Sequence, residues 1–200
     1  MSMLGISGLK EIIINKHITR PDLILNNLRD YIIDSLQQSK LIEESNNVKV
    51  KDGMDMAICT IDLEKSELEF AGAYNPLYIV KNQKQKVDSA NSYFQLSDIV
   101  LYELKGDKMP IAYYDKMNSF ELQTIQITKG DNIYLLSDGF EDQFGGSQGK
   151  KLKAKALKQL LCDNSKFEMD IQKQNITEAL ISWKGDNEQV DDITLIGIKI

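Results

Sequence analysis

Two hundred residues suffice for one domain with a real hydrophobic core, here taken as residues 1–200, and 42% apolar with 27% charged residues is an ordinary water-soluble balance. The net charge of −6 argues against a nucleic-acid binder, which needs clustered Lys and Arg to displace counterions from phosphates. No apolar run approaches the length that spans a bilayer and no leader pattern opens the chain, so no membrane insertion is expected in this segment, and the location reads as cytoplasmic.

The opening of the chain reads as two helices. Met3 to Ile14 is densely apolar, although Gly5 and Gly8 weaken it as an isolated helix. Thr19-Arg-Pro-Asp22 is a helix start, with Thr19 as the expected cap and the proline in the first turn. From there Ile24, Leu28, Tyr31, Ile32, Ser35 and Leu36 recur at helical spacing and form one stripe. The polar stretch Gln37 through Asn47 is expected to end that element.

The middle of the chain changes period. Met54 to Ile61 is β-prone and apolar on both alternating faces, which predicts a strand covered on both sides. Glu67–Phe70 and Leu77–Val80 follow, joined by the turn-type link Gly72-Ala-Tyr-Asn-Pro76. Ile99 to Leu104, Phe120 to Ile127 and Asn132 to Leu136 extend the series. Short links between consecutive strands imply antiparallel pairing, because parallel pairs need long crossovers.

Two helices come next, roughly Lys151 to Leu161 and Glu168 to Trp183. The second carries Met169, Ile176, Ala179, Leu180 and Trp183 on one face. Ile193 to Ile200 is a final strand. The order of helices, many strands, helices and strand is α+β, with helices packed over antiparallel sheets. Lys150, Lys151, Lys153, Lys155 and Lys158 are expected to form a solvated helix surface, with Leu152, Ala156 and Leu160 on another face.

Cys59 and Cys162 form no metal-binding pattern, and Cys59 is expected as a buried structural thiol. A single histidine, His17, rules out a multi-histidine metal site and disfavours a Ser-His-Asp triad. An enzyme here would work through carboxylates and a metal.

Asp138-Gly139 closes one strand and Asp191-Asp192 opens another, so each presents oxygen ligands at a sheet rim. Mg²⁺ and Mn²⁺ take such ligands together with water, and two such ions can hold a phosphate and lower the pKa of a shared water. Gly139 is expected to let the backbone turn sharply past Asp138. Taken alone, Asp-Gly after a strand is more often a plain turn, and Asp-Asp before a strand more often a solvated loop. The acidic turn Asp52-Gly-Met-Asp55 reads as a loop. Lys108, in Lys105-Gly-Asp-Lys-Met-Pro-Ile111, reads as a surface residue rather than a phosphate ligand. The residues by themselves leave the metal site open.

Met1-Ser-Met-Leu-Gly-Ile-Ser, Asp52-Gly-Met-Asp-Met-Ala-Ile, Phe70-Ala-Gly-Ala-Tyr-Asn-Pro-Leu-Tyr-Ile and Lys105-Gly-Asp-Lys-Met-Pro-Ile run in order along the chain. Leu136-Ser-Asp-Gly-Phe-Glu-Asp-Gln-Phe-Gly-Gly and Trp183-Lys-Gly-Asp…Gln-Val-Asp-Asp-Ile-Thr complete the set. As an ordered set they resemble the PPM/PP2C-type serine/threonine phosphatases of the bacterial SpoIIE/RsbU branch.

The resemblance implies a sandwich of two antiparallel β-sheets flanked by helices, and hydrolysis of phosphoserine or phosphothreonine with two Mn²⁺ or Mg²⁺ ions and a bridging water. It makes Asp138 and Asp191 metal-binding aspartates, with Asp192 orienting Asp191 or binding through water. It also implies signalling, with phosphorylated anti-sigma-factor antagonists as substrates and an upstream sensor acting through the helices of Met3 to Leu36.

One departure stands out. Relatives carry an Asp-x-x-Gly-His-Gly stretch, with the metal-bridging aspartate and its strands, before the residues matching Met1-Ser-Met-Leu-Gly. The expectation is therefore the C-terminal part of a phosphatase domain, lacking the N-terminal strands, inactive or nearly so alone, with open sheet edges that favour a homodimer. Ala112 stands where relatives often carry glycine. A non-catalytic pseudophosphatase or docking module is the alternative. A phosphoacceptor receiver is disfavoured because it needs alternating strands and helices around a parallel sheet.

Overall fold

Proline is accepted in the first turn of a helix because the N–H it lacks would have no partner there, and Pro21 opens the second helix of the chain. The computed structural model describes residues 1–36, 52–81, 92–96 and 98–200. They form two compact units interleaved along the chain, Met1–Asn75 with Lys105–Gln126, and Pro76–Leu104 with Ile127–Ile200.

In the first unit, α1 (Ser2–Leu9) continues into a π-helical turn at Lys10–Asn15, and α2 (Pro21–Ser35) follows. The N-cap of α2 is Arg20 rather than Thr19. Because Pro21 takes the first helical position, the cap moves to the residue before it. Arg20 makes no cap bond; its guanidinium instead reaches forward to both oxygens of Asp22 at 2.7 Å. Its charge holds the Asp22 carboxyl below the usual carboxylate range.

Of the predicted stripe on α2, Ile24, Leu28 and Ile32 are buried, Tyr31 and Leu36 half-buried and Ser35 exposed. Ile24, Leu25, Leu28 and Ile32 join Ile12, Ala71, Ala73, Met109, Ile111 and Phe120 in one cluster, and each large side chain so buried contributes about 1.5–3 kcal/mol. Arg29, on the same helix, donates to the Asn118 carbonyl at 2.7 Å and lies 5.0 Å from the Phe120 ring centre. The expected end of this helix at Gln37 through Asn47 lies outside the described residues.

The sheet of this unit has the order β1-β2-β6, with β1 Met56–Asp62, β2 Glu67–Ala73 and β6 Gln123–Gln126, all antiparallel. Strand β1 stands at the end of that order and is half-buried along its whole length. That corrects the expectation of a strand covered on both sides: apolar alternation marks side chains that avoid water, and a terminal strand shields them only in part. Cys59 is accordingly half-buried, while Cys162 is the buried thiol, pushed up to about 11 by burial.

The second unit holds a five-stranded antiparallel sheet of order β10-β7-β3-β5-β4. Its strands are β3 (Leu77–Lys81), β4 (Ser92–Leu96), β5 (Ile99–Leu104), β7 (Asn132–Leu136) and β10 (Leu195–Lys199). Strand β3 lies in the middle and every residue of it is buried.

The helices of this unit are a single turn α3 (Gly139–Asp142), α4 (Lys153–Asn164) and α5 (Met169–Lys184), and a two-residue pairing joins β8 (Phe144–Gly145) to β9 (Lys150–Lys151). Tyr78, Val80, Leu101, Tyr134, Leu136, Phe140, Leu157, Leu161 and Ile176 form its core. Within it Lys81 and Asp131 pair at 2.6 Å with side chains 3% and 4% exposed. Removing one partner of so buried a pair typically costs about 3–5 kcal/mol.

The basic cluster is divided between elements rather than spread on one helix surface. Lys150 and Lys151 form β9, and Lys158 turns inward to meet Glu103 at 2.9 Å and the Tyr78 ring at 5.4 Å. The inward face of α4 is Leu157 and Leu161, while Ala156 is exposed. Among the described residues no helix is long and apolar enough to cross a membrane.

Candidate functional site

Strands β7 and β10 pair antiparallel with Leu136 opposite Leu195, so the end of one and the start of the other share a rim. The pairing continues past both strands. The Ser137 amide donates to the Thr194 carbonyl at 3.0 Å. The Ser137 hydroxyl donates to the Asp192 carbonyl at 2.9 Å and accepts from the Thr194 amide at 2.9 Å. Ser137 thus stitches the Asp138 loop to the Asp191-Asp192 loop, and sequence reasoning missed it. A hydroxyl that bonds only backbone leaves no pattern beyond its place beside Asp138.

Gly139 is required, for a different reason from the one expected. It is buried at the start of α3, and a Cβ there would lie 2.5 Å from the Asp192 carbonyl oxygen. The glycine permits a close approach of two backbones rather than a sharp turn, and that approach brings the two acidic segments together.

Asp138 precedes α3, is exposed and makes no side-chain cap bond, so its carboxylate is open to solvent. Asp191 and Asp192 are exposed as well. Asp191 Oδ1 accepts from the Asp192 amide at 2.7 Å, and Gln189 Nε2 donates to the Asp191 carbonyl at 2.8 Å. Beside this rim Glu141 is half-buried, with one carboxyl oxygen enclosed and without a hydrogen-bond partner. Burial pushes its carboxyl above the usual range, with Asp142, Asp138 and Glu103 adding to the rise and Lys158 opposing it. Lys151 pairs with Asp142 at 2.7 Å.

Hard cations fit this donor set in kind, since every donor is a carboxylate or carbonyl oxygen and Mg²⁺ is commonly held by one or two carboxylates plus waters. In number the set is smaller than a two-ion centre requires. Among the described residues no group of three or more His, Cys, Asp or Glu side chains is placed to hold a metal ion. The remaining acidic turn, Asp52 to Asp55, belongs to the first unit, where the Met54 carbonyl accepts from the Ile111 amide at 2.9 Å. Lys108 is exposed on the turn before Met109.

The two antiparallel sheets with their helices are the fold of PP2C-type phosphatase domains. The SiaA PP2C domain of Pseudomonas aeruginosa superposes with a TM-score of 0.77 at 22% identity, over 100% of this chain and 67% of that one. A Bacillus subtilis SpoIIE structure, the PP2C phosphatase domain with a fragment of the regulatory domain, gives 0.62 at 14% identity, over 98% of this chain and 48% of that one. The phosphatase domain of the same protein, presoaked with Mn, gives 0.54 at 14% identity, over 98% and 73%. The model of the family described as stage II sporulation protein E (SpoIIE) matches residues 1–200; the chain belongs to that family. Among curated proteins, none matches it.

Proposed function

We propose that this chain is the metal-binding, phosphate-handling part of a protein serine/threonine phosphatase that acts in bacterial signalling. The observation that carries the reading is the stitched rim, where Ser137 and Gly139 hold the exposed Asp138 against the Asp191-Asp192 segment. Asp138 and Asp191 would hold Mn²⁺ or Mg²⁺, and Asp192 would orient Asp191 or bind through water. When bound, such ions lower the pKa of a water and neutralise phosphate oxygens. This chain's own part is to hold two exposed carboxylates near one another and open to solvent. The substrate is a phosphorylated protein, an anti-sigma-factor antagonist by family likeness, and the setting is cytoplasmic, with an upstream sensor.

Two rim carboxylates, with no third grouped ligand among the described residues, are in keeping with weak or no turnover by this chain by itself. The same observation favours a second reading, a non-catalytic docking module that binds a phosphoprotein or a second copy. The deciding experiment is Mn²⁺-dependent hydrolysis of a phosphoserine peptide. It would use the chain alone and the chain joined to an upstream segment carrying the Asp-x-x-Gly-His-Gly motif. Turnover in the joined protein, lost by at least about a hundredfold in Asp138→Asn with folding intact, is expected. No turnover in either folded protein would leave the docking module.

A further inference from the structure

Gln143 is fully buried, one residue beyond the helical turn that begins after Asp138. Its Nε2 donates to the Phe144 carbonyl at 3.0 Å and to the Glu188 carbonyl at 2.9 Å. Two carbonyl acceptors on one amide nitrogen fix which way the side chain faces. Its backbone carbonyl accepts from the Trp183 indole at 2.9 Å and from the Leu152 amide at 3.1 Å.

The next residues continue the closure. Gly146 donates to the Trp183 carbonyl at 2.8 Å, and a Cβ on Gly145 would collide with that same carbonyl. The segment leaving Asp138 is therefore clasped to the segment that runs from Trp183 towards Asp191.

We infer that Gln143 is a positioning residue for the acidic rim, holding the Glu188-Gln189 approach to Asp191 at a fixed distance from the Asp138 turn. Ser137 closes the rim from the strand side, and Gln143 closes it from the far side. The Gln143 side chain supplies the bond to Glu188, whereas the Gly146 and indole bonds hold Trp183, and the loop 186–191 is exposed along its length. The two bonds that Nε2 donates satisfy the Phe144 and Glu188 carbonyls together. An apolar side chain of the same size would fill the space but leave both carbonyls without that donor. The inference rests on the metal-binding reading of Asp138 and Asp191.

The test uses the 200-residue chain with Mn²⁺ as the probe, followed by electron paramagnetic resonance, and amide hydrogen exchange on the same samples. Gln143→Glu keeps the shape but sets a carboxylate oxygen against two carbonyls. Asp138→Asn reports on the metal reading, and Leu161→Ala is a core truncation elsewhere in the same unit. Gln143→Glu should weaken Mn²⁺ binding about tenfold and speed exchange at 186–191, while Leu161→Ala changes neither. Wild-type affinity in folded Gln143→Glu overturns the inference.

If Asp138→Asn binds Mn²⁺ like the wild type, the metal reading fails, and exchange alone judges the clasp. Faster exchange confined to 186–191 supports it, and unchanged exchange overturns it. Should Gln143→Glu not fold, Gln143→Met, which keeps the length of the side chain but removes its amide donor, decides through the same two readouts. A loss of about tenfold in affinity supports the clasp, and no shift overturns it.

Discussion

Two fully buried glutamines in the second unit do opposite things with their amides. Gln172, on α5, accepts from the Tyr134 hydroxyl at 2.6 Å and donates to Asn132 Oδ1 and to the Phe167 carbonyl at 2.9 Å each. Asn132 in turn donates to the Ser165 carbonyl at 3.1 Å. Gln143, beside the acidic rim, uses its nitrogen on two carbonyls and leaves its oxygen without a partner. A complete polar network specifies one packing and adds stability. Gln143 instead directs its donors to two backbone carbonyls, tying segments together rather than filling a network between helix and sheet.

The sharpest way to break the comparison is to remove the complete network. Gln172→Ala should strand the Tyr134 hydroxyl and the Asn132 amide oxygen together, at about 2–4 kcal/mol by urea unfolding. Mn²⁺ binding should be unchanged in the folded protein; if binding fell with stability, the two glutamines would not be separable.

Gly139→Ala probes the rim directly. Forcing apart the backbones of Gly139 and Asp192 should cost about 1–3 kcal/mol and weaken Mn²⁺ binding more than Gln172→Ala does. An alanine variant with wild-type affinity would remove the close approach from the account.

The smallest expected effect concerns Glu141. A folded pKa raised by burial is a stability contribution present below the ordinary glutamate value of 4.5 and lost as pH rises through the folded value. Glu141→Gln should therefore stabilise the chain at neutral pH by under about 1 kcal/mol. It should also flatten the fall of Tm with pH above the ordinary glutamate value. Parallel Tm–pH curves for the two proteins would show that its burial is already relieved.

Long periodic elements were legible in the sequence. The strand read at Asn132 to Leu136 has those bounds in the structure, and the helix read at Glu168 to Trp183 lies at Met169–Lys184. Each owes its existence to several apolar residues at one spacing. The pairs β8 and β9 and the single turn α3 were illegible, because two to four residues carry no period. Strand β4 was not read, although it pairs along its length with β5. In the candidate site the acidic residues could be picked out by their place at strand ends. Their juxtaposition could not, since it depends on the Leu136–Leu195 register and on Ser137, a residue whose bonds go to backbone. Lys150, Lys151, Lys153 and Lys155 are exposed as their charge suggests, whereas Lys158 lays its stem inward and finds a carboxylate and a ring.

The interleaving of the units also governs how the chain can reach its native state. Phe70 of β2 pairs with Gln123 of β6, so the three-stranded sheet closes only around a loop holding all of β3, β4 and β5. Neither unit is a contiguous stretch that a ribosome could release and leave to fold first. Non-local pairings of this kind slow folding, because the entropy of closing the loop is lost before the contacts that reward it exist. A protease nick within Pro76–Leu104 would leave each sheet held by its own strand pairings, and a deletion of that stretch would cost the second unit β3, β4 and β5 while the first kept all three of its own strands.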